Sequence, residues 1–223
     1  MTLLHPPYTA WHLSYVVIGA ALAPAFQVSR LAPTLVAFFL AVGIGAHALD
    51  ELAGRPLGTH ISARVLTSAA ALSIAAATAI GAVGAATINP WLGVFVAAGF
   101  FIVVAYNLEV VGGRFHSDLW FAFAWGGFPL LTAHFVSAEA LRPEVVPAVA
   151  FAVSLSLAQR RLSTQVRDVR RHVTAVRGRI ERAGGTTEAV TRETLIEMHE
   201  LALRALVVAT IALAVALVVV RVT

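Results

Sequence analysis

LAPTLVAFFLAVGIG, residues 31 to 45, runs directly into AHALDELAGRPLGTHIS, residues 46 to 62. The first part carries no charge, and with the next few residues it is long enough to cross about 30 Å of hydrocarbon as a helix rising about 1.5 Å per residue. The second part closes that span with His47, Asp50 and Glu51, followed by Arg55-Pro56-Leu57. Ionisable groups are costly inside a bilayer, so their gathering at a span end points to a cavity with polar partners.

The whole chain has the same oily character. It is 59% hydrophobic and only 13% charged, about half the ~25% of a soluble domain, with a mean hydropathy of +0.82. This composition reads as an integral membrane protein. Cysteine is absent, which removes disulfides and thiolate metal sites and leaves His, Asp, Glu and backbone oxygen as metal ligands. MTLLHPPY has no basic start, and the small-residue site Ala21-Leu22-Ala23 precedes Pro24, so the first span is expected to be retained.

Apolar windows at about 9–27, 32–52, 64–88, 91–109, 118–138, 144–160 and 202–221 predict an all-α bundle of seven transmembrane helices in a single membrane domain, 1–223. With seven spans, Arg55, Arg64, Arg114 and the ten arginines from 160 to 204 fall on one face, against Arg30, Arg142 and Arg221 on the other. Positive residues near span ends stay cytoplasmic, so the expected topology is N-terminus inside and C-terminus outside, in the cell membrane. Trp11 and Trp120 near the inner boundary and Trp91 near the outer one suit interfacial belts. No internal repeat suggests a duplicated transporter.

Residues 161–201 form a polar insert before the last span. Leu162, Val166, Val169, Val173, Val176 and Ile180 recur at steps of four and three, predicting an amphipathic helix. Gly184-Gly185 ends it, and Thr186 or Thr187 can cap a second, acidic helix, so a cytoplasmic helical hairpin is expected. Its basic arm either pairs with its acidic arm or leaves arginines for lipid headgroups or a diphosphate.

On this topology the polar residues collect on the cytoplasmic face. His5, His12, His47, His60, His116, His172 and His199 lie there with Asp50, Glu51, Glu109, Asp118 and Asp168, whereas His134 lies elsewhere. His47, Asp50 and Glu51 share a helix face, as do Asp168 and His172. Each set suits either a divalent cation or a carboxylate–histidine hydrogen bond.

The order of motifs resembles the UbiA-type intramembrane prenyltransferase superfamily. The resemblance rests on His5-Pro6-Pro7 followed by VVIGAALA, on HALDELAGRPLGTHIS at 47–62, on AYNLEVVGGR at 105–114 and on QVRDVRRH at 165–172. It covers residues 5 to about 180. It implies transfer of a prenyl group from its diphosphate to an acceptor, with Asp50, Asp168 and Tyr106 as catalytic residues and Arg55, Asn107, Arg114 and Arg167 binding substrate. It also implies a divalent metal, magnesium, held through His47, Asp50, Glu51, Asp168 and His172. His47 and His172 stand where the family has aspartates, and imidazole ligands suit zinc, manganese or iron better than magnesium. The family also has more spans than the seven read here. The expected partners are an isoprenoid lipid and the membrane, with a partner subunit or a second copy of the chain possible and no nucleic acid. A metal-dependent lipid oxidoreductase and a non-catalytic lipid-binding or scaffolding subunit are the alternative readings.

Overall fold

A computed structural model of the chain describes residues 4–223. Among them are seven helices: α1 (Pro6–Leu22), α2 (Val28–Gly54), α3 (Ala63–Thr87), α4 (Leu92–Asn107), α5 (Asp118–Ala138), α6 (Val145–His172) and α7 (Arg192–Val222). One hairpin, β1 (Arg179–Glu181) with β2 (Thr187–Ala189), separates the last two. The all-α expectation holds, and α2, α3, α5, α6 and α7 are long and apolar enough to cross a membrane. α1 and α4, at 17 and 16 residues, reach only about 25 Å. The chain therefore has the build of a membrane protein.

α5 is the central helix, with 72% of its most apolar window buried, and α7 is peripheral, with 11%. Small residues let the neighbours of α5 close in. A Cβ on Gly19 of α1 would collide with the Leu130 carbonyl, and one on Gly126 would lie 2.7 Å from the Ala152 carbonyl of α6. Side chains that fit such approaches drive helix association where no hydrophobic gain separates protein from lipid. Gly81 meets Val96 in the same way between α3 and α4, 2.5 Å from an added Cβ. These glycines serve packing.

Two helices contain a wider π turn, Phe39–Ala46 in α2 and Phe123–Gly127 in α5. Such turns redirect backbone carbonyls and recur at functional sites. Both lie on the inner wall of the bundle, where Val42, Trp125 and Phe128 join Ile74, Val103 and Tyr106 in one apolar cluster.

Charge separates to the two ends of the bundle as the arginine count predicts. At one end Arg30 pairs with Glu139 at 2.7 Å and donates to the Val136 carbonyl, while Arg221 caps the Ala21 and Ala23 carbonyls at the end of α1. Arg142 and Glu144 lie at this end too, in the turn between α5 and α6, and the other end, described below, carries most of the remaining charged side chains.

Two expectations need correction. The insert is not a helical hairpin: α6 continues unbroken to His172, about 18 Å beyond Arg160, and the chain then runs extended into the β hairpin. Val173 and Ile180 do not share one helix, because Val176, Gly178 and Ile180 alternate as well as they step by four, and β1 pairs Ile180 with Glu188. Gly185, at φ +78°, makes the turn that was read as a helix end, and Arg182 bonds Glu188 across it at 2.8 Å. The final helix starts at Arg192, capped by Thr191. Second, Trp11 is no belt residue: it is buried, 6.1 Å from the Tyr15 ring. Trp91 is exposed, as a belt requires.

Candidate functional site

The polar end is assembled from the start of α1, the end of α2, the end of α4, the start of α5 and the emerging part of α6. Three side chains there each bind a backbone carbonyl of the inner wall. His12 Nδ1 lies 2.5 Å from the Trp125 carbonyl, His47 Nδ1 lies 2.9 Å from the Val42 carbonyl, and the Asn107 amide donates to the Val103 carbonyl at 2.7 Å. A carbonyl only accepts, so both imidazoles carry a proton on Nδ1, and Nε2 is the nitrogen left for other partners. His12 is buried, and its Nε2 has no partner.

Val42, Trp125 and Val103 are also lining residues of an apolar slot of about 140 Å³ between α2, α3, α4 and α5. An apolar cavity of about 150 Å³ accepts a benzene-sized guest, so the enclosed part of the slot takes about one isoprene unit of a single chain rather than a fused ring system. Gly81 and Gly99 line it, and its far end reaches Arg30 and Val136. The backbone that floors the slot is thus the backbone that His12, His47 and Asn107 hold.

Aromatic rings cover the join. Tyr8 meets His12 at 4.2 Å and His47 at 6.1 Å, and Tyr106 stacks on His116 at 4.4 Å and meets Trp125 edge-on at 5.5 Å. Phe121 lies under the Arg160 guanidinium, 4.8 Å from its ring centre. His5, which precedes α1, has its imidazole held below its ordinary pKa by desolvation and then by neighbouring His47.

α6 brings a row of arginines. Arg160, Arg167 and Arg171 sit seven and four residues apart on one helix face. Arg160 reaches Asp118 at 3.4 Å and Arg161 the same carboxylate at 3.0 Å. Arg171 donates to the Pro56 carbonyl, which joins the two motif segments directly. Arg167 bonds only Thr164, at 3.1 Å, and stands within electrostatic reach of Asp50, Tyr8 and Tyr106.

The residues singled out in the sequence divide into two groups. Asp50, His47, Tyr106 and Arg167 stand within electrostatic reach of one another at the polar end, beyond the Val42, Val103 and Trp125 wall of the slot, and Asn107 joins that wall through the Val103 carbonyl. Asp50 is exposed on the last turns of α2, near His47, His116 and Arg167. The others do not join them. Glu51 is fully buried and accepts from the Leu57 amide at 2.9 Å, the Thr59 amide at 2.7 Å and the Thr59 hydroxyl at 2.8 Å. Arg55, at φ +51°, ends α2 and donates one guanidinium nitrogen, Nη1, to both the Thr59 and Ile61 carbonyls. Arg114 is exposed on the loop after α4. Asp168 and His172 bond one another at 3.0 Å on an open part of α6, with side chains 59% and 74% exposed.

These donors do not fit a magnesium centre. Magnesium requires near-ideal octahedral oxygen ligation at about 2.0–2.1 Å. Glu51 has spent its carboxylate on the loop, Asp168 faces His172, and Asp50 is left as a single carboxylate. Among the described residues no three His, Asp or Glu are placed to share an ion.

Tyr8 escaped the sequence reading, and His12, His116 and Arg160 entered it only as members of charge and histidine counts. The four-residue step from Tyr8 to His12 and the seven-residue step from Arg160 to Arg167 were the available signals. No protein-family model, curated protein or solved structure matches the chain.

Proposed function

We propose that the chain is a UbiA-like membrane enzyme that takes an isoprenoid diphosphate, tail in the slot and head at the polar mouth, and transfers its prenyl group to an acceptor. One observation carries this reading: the apolar slot ends on the three residues whose carbonyls His12, His47 and Asn107 bind. An amphiphile with one hydrocarbon chain and one compact anionic head matches that junction. The seven-span topology belongs to the same proposal, with α1 and α4 completing their crossings through flanking residues, the N-terminus cytoplasmic, and the arginine-rich mouth on the cytoplasmic face. The N-terminus itself precedes the described residues.

In the reaction the allylic C1–O bond breaks and the diphosphate departs with the bonding pair. The acceptor's nucleophilic atom forms the new bond to C1 and gives up a proton. The rings of Tyr8, Tyr106, Phe121 and Trp125 surround the join of slot and mouth, where positive charge on C1 gains cation–π stabilisation. The exposed Asp50 carboxylate is the acceptor available for the proton.

The test is binding of tritiated farnesyl diphosphate to the full chain in nanodiscs. Unlabelled farnesyl diphosphate should displace the label, inorganic diphosphate should not, and Gly99→Leu, which fills the slot beside Phe128, should abolish binding. Equal displacement by inorganic diphosphate, or full binding by the Gly99→Leu protein, would exclude a tail seated in the slot.

A further inference from the structure

We infer that the head group is gripped by arginine rather than by a magnesium ion, with Arg160 and Arg167 as the clamp and Arg171 as the strut that sets their distance from the loop after α2. The inference rests on the functional reading above and adds the identity of the group that neutralises the phosphate.

The argument starts from which charges are already spent. Glu51 is consumed by three hydrogen bonds of its own loop, and Asp168 lies on an open part of α6, where it bonds His172. Asp118 is shared by Arg160 and Arg161. Asp50 is therefore left at the mouth without a hydrogen-bond or ion-pair partner among the described residues, and Glu109, on the loop after α4, has only the His116 imidazole, 3.9 Å away. A single free carboxylate gives a magnesium ion one protein ligand here and leaves the phosphate charge to be met by other cations.

The cations have the opposite balance. Arg160 engages Asp118 only through Nε, which leaves both terminal nitrogens, and Arg167 gives one nitrogen to Thr164. Arg171 gives one nitrogen to the Pro56 carbonyl and so ties α6 to the segment that Glu51 and Arg55 hold rigid. Guanidinium groups offer planar, paired donors that match phosphate oxygens, and they need no metal to do so. Arg160 is also flattened on Phe121 with its side chain only 17% exposed, which fixes its plane before ligand arrives. A fixed donor loses little entropy on binding. His47 and His116 face the same space from α2 and the loop before α5.

The experiment measures farnesyl diphosphate binding to the full chain in nanodiscs, once with EDTA and once with magnesium. Affinities within about threefold of each other are expected, with Arg160→Ala and Arg167→Ala each weakening binding about tenfold or more in EDTA. Arg167→Lys, which keeps the charge and loses the paired donors, should fall between the wild type and Arg167→Ala, and it guards against a loss due to misfolding. Binding that appears only with magnesium, or arginine variants that bind as the wild type does, overturns the clamp while leaving the functional reading intact. Failure to bind the prenyl diphosphate in both buffers instead removes the functional reading itself. Inorganic diphosphate alone, bound without metal and lost in both arginine variants, would support the clamp and remove the lipid tail from the reading.

Discussion

The loop after α2 and the arm at the end of α6 carry the same chemistry in sequence, a histidine and a carboxylate within one helical turn beside arginines. In the fold they part company. At 47–62 the acid next to the helix end is swallowed whole: Glu51 is buried and takes three donors, and Arg55 closes the same loop from its other side. At 165–172 the acid and the histidine lie open and bond only each other. Spacing brings two groups onto one face, and only the neighbouring backbone decides whether they become scaffold, ligand or solvated surface.

The largest expected difference lies in stability. Glu51→Ala leaves buried donors unpaired and should cost about 3 kcal/mol or more, whereas Asp168→Ala should cost under about 0.5 kcal/mol, as an exposed pair does. Thermal unfolding in detergent reads both, and equal losses would erase the contrast. Next, Arg55→Ala frees the Thr59 and Ile61 carbonyls of an ordered loop and should cost about 1–2 kcal/mol by the same measurement. An unchanged midpoint would mean that the loop stands without its guanidinium tie.

The arm itself sharpens the comparison. Arg167→Ala should weaken prenyl diphosphate binding about tenfold, while Arg170→Ala, whose guanidinium faces Glu200, should leave it within about twofold. Reversal of that order in equilibrium binding would place the head group on the α7 side of the arm. The smallest effect belongs to His172→Gln, which removes an exposed partner of Asp168 and should change neither unfolding nor binding beyond error. A clear loss of metal-dependent activity in that variant would make Asp168 and His172 ligands after all.

The all-α build and its five long apolar helices were legible because hydropathy reports the length of an apolar helix directly, while α1 and α4 came out shorter than the windows read for them. The insert was less so. Val176 and Ile180 are four apart, a step that fits a helix turn and two strand steps equally, and Gly185 serves a hairpin turn as readily as a helix end. At the site, Asp50 and Arg167 were within reach because each belongs to a motif. Tyr8 and His12 were not, since their role depends on α1 packing against α5 so closely that Gly19 abuts the Leu130 backbone. Nor does a sequence show that a carboxylate is already spent. Glu51 and Asp50 are adjacent and chemically alike, yet a 100° turn of the helix sends one into the loop and leaves the other at the mouth.

The most direct measurement is photocrosslinking with a farnesyl diphosphate analogue that carries a diazirine at the tail end, followed by peptide mapping of the full chain in nanodiscs. Adducts should fall on the slot wall, at Gly81, Val96, Gly99 or Phe100, and should vanish in excess unlabelled farnesyl diphosphate. Adducts confined to the exposed face of α7, at Val208, Val215 or Val219, would show that the tail lies in the surrounding lipid and contradict a tail held inside the bundle.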